Sequence, residues 1–309
     1  MTRAWSFRPV RWLLAAFVVL LAAAGVGWRV LERSPRAAWT SRQGRLAAIS
    51  AVAPSEPGGP GHRALRAVSS SGLEVELALR LPAAPASAET RPALVLLLDG
   101  GSRAPGTLVA FDAPSARDQA LEPAVLVAVG SPLAALGPAG AATDLRAAWR
   151  RRACVLDGAP SVSLGLDAVL RELATAGLAQ PVGRVILIAC DEAIPLGLHA
   201  LAHDGRIERL ILVRGQGSGP GLATGSLDAG GEPGEGRLGR LAREFARELA
   251  WGFGLDAARF PPRVPVTALA SSPAAAARLE ALGAGPAVLH PGADEGALRR
   301  SALDAALAP

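Results

Sequence analysis

Two apolar patterns alternate along this chain. Continuous runs occur in "PALVLLLDGGS", "PAVLVAVGSP", "RVILIA" and "IERLILV". Unbroken runs of this length suit central parallel strands covered on both faces. Later, "VPVTALASSP" and "GPAVLHPG" read as two further strands. Between the runs the spacing turns helical. From Thr143 to Gly177, Leu166, Val169, Leu170 and Leu173 recur three and four residues apart. Helices are also predicted over roughly 193–203, over "LGRLAREFARELAWGFGL", through Arg278 to Leu282, and over "EGALRRSALDAALA". Near the start, "ALRAVSSSGLEVELALRLPAAP" predicts two strands joined by a turn at Ser71-Gly72. Strands alternating with helices predict an α/β fold, a doubly wound and mostly parallel sheet of about eight strands with right-handed crossovers.

The N-terminus departs from this pattern. Trp12 to Trp28, "WLLAAFVVLLAAAGVGW", is an uncharged apolar run with tryptophans at its ends and Arg3, Arg8 and Arg11 before it. Those features predict an N-terminal transmembrane helix acting as signal-anchor over 1–29, with Ala22-x-Ala24 as an alternative cleavage site. A linker is expected over 30–62 and one globular domain over 63–309. The expectation is a membrane-anchored protein whose domain is extracytoplasmic or periplasmic. Arg29, Arg33, Arg36, Arg42 and Arg45 follow the run and argue for the opposite, cytoplasm-facing orientation.

Composition narrows the functional classes. The chain has 309 residues, is 50% hydrophobic and carries a net charge of +5, which fits a globular protein. Every basic residue is arginine. The arginines are scattered and aromatics make up only 4%, so no nucleic-acid partner is expected. Residues 215–236, "GQGSGPGLATGSLDAGGEPGEG", read as a Gly-rich insertion. Cys154 and Cys190 have no metal-type spacing.

The chemistry centres on "ILIACDEAIPLGLHALAHDGRIERLILV". A buried strand, a sharp turn and a helix follow one another there. A nucleophile elbow of the Gly-x-nucleophile-x-Gly type needs small residues two positions either side of its nucleophile. In "ACDEA" these are Ala189 and Ala193, which puts Asp191 at the nucleophile position. Cys190 is out of register, flanked at two residues by Ile188 and Glu192. With "SGLEVELALRLPA", "PALVLLLDGG" and "DLRAAWRRRACVLDGAPSVSLGLDAVLREL", the stretch resembles the α/β-hydrolase superfamily, in particular its acetyl-xylan-esterase and dienelactone-hydrolase-like branch.

That resemblance implies a Ser-His-acid triad, and the matching positions are substituted. Asp191 stands at the nucleophile, Glu295 at the His position in "PGADE", and Ser271 and Ser272 at the acid position in "ASSP". Asp99 precedes Gly100-Gly101 where the family has a His, placing negative charge where an oxyanion should form. The oxyanion-hole positions are Gly101 and Glu192. Two readings follow. One is a non-catalytic module with a binding or structural role, taking a small-molecule or ester-like ligand. The other is an active ester, epoxide or haloalkane hydrolase with Asp191 as nucleophile and His290 as base. Asp99, Asp191 and Glu192 are expected to crowd one rim, raising at least one pKa or recruiting a cation. His199 and His203 have i, i+4 spacing beside Asp204, but no third ligand is fixed, and no metal or cofactor is expected. No protein partner is indicated.

Overall fold

The structure, a computed structural model, describes residues 15–27, 44–52, 62–81, 92–99, 124–130, 145–175, 182–214, 264–281 and 284–308. Nine strands form one sheet: β1 (Leu46–Val52), β2 (His62–Ser69), β3 (Glu74–Arg80), β4 (Ala93–Asp99), β5 (Ala124–Val129), β6 (Val185–Cys190), β7 (Arg209–Arg214), β8 (Val266–Ala270) and β9 (Ala287–Leu289). Their spatial order is β1-β2-β3-β5-β4-β6-β7-β8-β9. The strands from β5 to β9 in this order are parallel, and β1 to β3 join as antiparallel neighbours. The helices are α1 (15–27), α2 (Leu145–Thr175), α3 (Ile194–His203), α4 (Pro273–Ala281) and α5 (Glu295–Leu307).

The burial patterns explain the two strand types. β5 and β6 are buried at every position, as the continuous runs require. β2 and β3 alternate between buried and exposed positions, so they cover one face only. Alternation splits each central strand between two cores. Leu94, Leu96, Leu98, Leu187 and Ala189 face the core that α2, α3 and α4 help to fill. Val95, Leu97, Ile186, Ile188 and Cys190 face the opposite core, which α5 covers with Leu298, Ala302, Leu303 and Ala306.

One region expected to link rather than pair is part of the sheet. Leu46–Val52 forms β1 against β2, and Ser70 donates its N–H to the Arg45 carbonyl at 2.7 Å. This accounts for nine strands where about eight were predicted. The Ser71-Gly72 turn is where expected, with Gly72 at φ 81°. α1 occupies 15–27 of the apolar run, and Phe17, Val18, Val19, Leu20 and Leu21 are exposed. No helix among the described residues is long and apolar enough to cross a membrane. Both ends of the predicted span, 12–14 and Trp28, lie outside the described residues, as do the Gly-rich insertion and the helix expected over 238–255.

Candidate functional site

The elbow follows β6 as predicted. Asp191 has φ 47° and is the only non-glycine residue with positive φ among those described. A left-handed conformation is costly for side chains in general and least so for Asp and Asn. The turn continues through a short 3-10 helix, Asp191–Ala193, into α3. Packing explains the strain. A Cβ placed on Gly197 of α3 would lie 2.6 Å from the Ala189 Cβ, so helix and strand are in direct backbone approach. Ala189 and Ala193 are fully buried. Ala189, one of the small positions predicted from "ACDEA", has no room to grow because Gly197 of α3 packs on it.

Alternation then decides what surrounds the elbow. Asp99 ends β4 and lies opposite Cys190 in the parallel register. Asp99 and Cys190 face the same side of the sheet, the side covered by α5. From α5, Arg299 donates from Nη2 to Asp99 Oδ2 at 2.6 Å, and the same nitrogen bonds Glu295 Oε1 one turn earlier. The Arg299 side chain is 7% exposed, against 12% for Asp99 and 56% for Glu295. Burial works against the Arg299 charge, but Cys190, Asp99 and Glu295 outweigh it and hold the guanidinium above its ordinary range. Of the carboxylates expected to crowd this rim, Asp99 is paired with Arg299, while the Glu192 side chain lies outside the described residues. Burial pushes the Cys190 thiol well up; Arg299 pulls it down, and Asp99, Asp191 and Glu295 add to the rise. Cys190 is a protonated thiol at neutral pH and not a poised nucleophile.

The sheet, the strained strand-to-helix elbow and the helix behind it are now in view together. The arrangement is α/β-hydrolase-like.

No family model matches the sequence, and no curated protein matches it. Similar solved structures include acetyl xylan esterase 1 from a Thermoanaerobacterium species, at 13% identity over 90% of this chain and 93% of that one, with a TM-score of 0.49. An acetyl xylan esterase from a Paenibacillus species gives 13% identity, the same coverages and a TM-score of 0.47. A siderophore hydrolase from Aspergillus nidulans gives 14% identity, 82% and 96% coverage and a TM-score of 0.39.

The whole chain holds four histidines, His62, His199, His203 and His290, and all are described. His290 follows β9, three strands from β6, so strand spacing puts its backbone about 14 Å from the elbow. Its N–H bonds the Ala270 carbonyl at 2.8 Å, and its ring bonds no described residue. His199 and His203 lie on α3, eight and twelve residues beyond Asp191, or about 12 and 18 Å along the helix. His62 starts β2 opposite Arg80, at the far edge of the sheet. The expected pairing of His290 with Asp191 is thus not made by this framework. Glu295, in contrast, is brought to the cluster.

The remaining positions have local roles. Ser272 Oγ accepts the Ala275 N–H at 3.2 Å and caps α4. Ser271 follows β8, 1% exposed, with its N–H on the Arg214 carbonyl at 3.2 Å. Gly101 and the Glu192 side chain lie outside the described residues. The His199 and His203 rings meet edge to face, 4.6 Å between centroids. Asp204 is committed elsewhere. Both its oxygens receive Arg206, at 2.9 and 2.7 Å, and Ser163 Oγ donates at 2.5 Å. Burial would raise the Asp204 carboxyl, but these bonds outweigh it and hold it below the usual range. That uses up the carboxylate a zinc site on this helix would need.

Arg299 is the functional residue that sequence reasoning missed. Its i, i+4 spacing from Glu295 is visible in "EGALRR", but its partner Asp99 is 200 positions away.

Proposed function

We propose that this protein is an α/β-hydrolase-like module that binds a small-molecule or ester-like ligand at the elbow rim and does not turn it over, tethered to a membrane through its N-terminal apolar segment. The placement of the histidines carries the reading. Acyl transfer from an elbow needs a base with near-neutral pKa within hydrogen-bond reach of the nucleophile, directly or through one water. All four imidazoles of the chain belong to elements that set them away from Asp191. A second observation supports it. Asp99 and Glu295, at the positions corresponding to the family's oxyanion loop and His, are tied to one guanidinium. A carboxylate beside the oxyanion position opposes the charge that acyl transfer develops.

The test is turnover of a panel of aryl and acetyl esters. The reading expects none above buffer; robust turnover abolished by Asp191→Ala overturns it. The strained φ of Asp191 favours the second reading, a hydrolase that attacks ester, epoxide or haloalkane carbon with this carboxylate. It requires a covalent ester on Asp191, detected by intact-protein mass spectrometry with probes of those three classes. Tethering rests on the uncharged run from Trp12 to Trp28 and the exposed apolar residues of α1. Retention of the full chain in the membrane pellet after carbonate washing, with release on deletion of residues 1–29, is the expected result.

A further inference from the structure

The two edges of the sheet are finished differently. Among the described residues, β9 closes one edge and β1 the other. β9 has three residues, and so short an edge offers little to a further strand. β1 has seven. From Ala48 to Val52 it pairs with β2 residue for residue, and its one irregularity lies between Leu46 and Ala48. In an antiparallel ladder alternate residues turn both N–H and C=O away from the partner strand, so β1 carries a row of such groups along its outer edge. Charge or proline commonly guards an edge of this length. The neighbouring strands do put charge at exposed positions: Arg63 and Arg66 on β2, Glu74 and Glu76 on β3. β1 does not. Its exposed positions are Ala47, Ala48, Ser50 and Ala51, and the strand holds no charged residue and no proline.

We propose that β1 is a self-association edge, on which a second copy of this chain adds its own β1 antiparallel and joins the two sheets. Three arguments favour a second copy. Pairing this strand with itself sets no like charges opposite one another, and its small side chains crowd neither face. A two-fold axis through the pair closes the contact, so association ends at a dimer and leaves neither β1 edge open. Copies held in one membrane also meet at raised effective concentration. This third argument rests on the tethering proposed above, and the chain length permits it. Residues 28–43, sixteen in all, separate α1 from the first described residue of the domain and reach about 50 Å when extended. Antiparallel β1 strands set their two N-terminal ends only about 24 Å apart. Both tethers therefore reach one bilayer. Two seven-residue strands cover far less area than a standard interface, so the pairing depends on this confinement.

The test is disulfide trapping of the full chain in phospholipid vesicles. In a Cys154→Ser background, cysteine replaces Ala47, Ala48, Ser50 or Ala51 one at a time, and a mild oxidant is added. Cys190 is 2% exposed and stays out of reach. A two-fold axis within β1 brings one of these positions, or two neighbouring ones, next to its own copy. A disulfide-linked dimer is expected there, and roughly fivefold less of it toward the ends of the strand, where the Cα atoms are too far apart to be bridged. Without added cysteines, pairing slows amide exchange over 46–52. Ser50→Lys combined with Ala51→Lys, both at exposed positions, sets like charges across the pair and is expected to speed that exchange roughly fivefold with unchanged circular dichroism. No trapping at any position overturns the pairing. Equal trapping at all four does so too, because the copies would then meet by collision or through α1. Slow exchange without trapping would put another segment on this edge and is equally fatal. Carbonate washing scores the tether separately: a released chain removes the tether, and trapping then decides the pairing by itself.

Discussion

Replacing Arg299 by methionine tests how the site is held. Methionine keeps most of the stem's apolar volume and removes the charge and the fork. What it leaves behind decides the cost. Asp99 is 12% exposed and would keep a carboxylate at the end of a buried strand with its guanidinium gone. Removing one partner of a buried pair costs roughly 3–5 kcal/mol. The Glu295 arm is 56% exposed and adds about 1 kcal/mol at most. Partial exposure of Asp99 argues for the lower end, so a loss of about 3 kcal/mol is expected at pH 7. Urea denaturation followed by circular dichroism reads such a change against a total near 5–15 kcal/mol. Asp99→Leu combined with Arg299→Met should recover most of it, since two apolar groups leave no stranded charge. The double-mutant cycle should give a coupling of about 2 kcal/mol or more. A loss under about 1 kcal/mol in Arg299→Met, with no recovery in the double variant, would refute a desolvated pair.

Three further outcomes follow from the geometry. Gly197→Ala gains about 1 kcal/mol of helix propensity but drives a methyl onto the Ala189 Cβ at 2.6 Å, so a lower Tm is expected, restored by adding Ala189→Gly. At Asp191, with φ 47°, stability should fall in the order Gly, Asp, Ala, Val across a span of about 1–3 kcal/mol, measured by denaturant midpoint; a Val variant as stable as wild type would contradict the left-handed elbow. Arg206→Gln removes the partner that holds the Asp204 carboxyl down. A depressed carboxylate stabilises the fold above its unfolded value, near 3.9, and that stability is lost as pH falls through the lower folded value. The destabilisation caused by Arg206→Gln should therefore be full at pH 6–7 and shrink below about pH 4, checked by urea midpoints across pH.

What could be read from the amino-acid order follows from how locally each feature is specified. The central strands were legible because β4 to β7 are continuous apolar runs bounded by turns, a pattern with few alternatives. The elbow register was legible for a steric reason: only Ala189 and Ala193 are small at the required offsets, and both are buried where the helix meets the strand. β1 was missed because "LAAISAV" is Ala-rich, a composition without strand preference. Its place is set by pairing with β2, a contact between segments and not a property of either. The tie between Asp99 and Arg299 was not legible. Asp99 and Arg299 meet only because β4 and β6 are neighbours and α5 crosses the face on which alternation puts Asp99.

The elbow's conformation and its chemistry rest on different residues. Its conformation is a matter of packing: Gly197 against Ala189 forces the sharp turn, and Asp191 accepts the left-handed φ at modest cost. Its chemistry is a matter of charge and proton traffic, and depends on residues supplied by other strands and loops. Packing constraints act through the core, so they persist whatever the site does. Charge constraints act only through function. At the end of β4 and the start of α5, Asp99 and Glu295 share Arg299. Under the proposed binding role, two carboxylates on one guanidinium suit a ligand that brings positive or hydrogen-bond-donating groups.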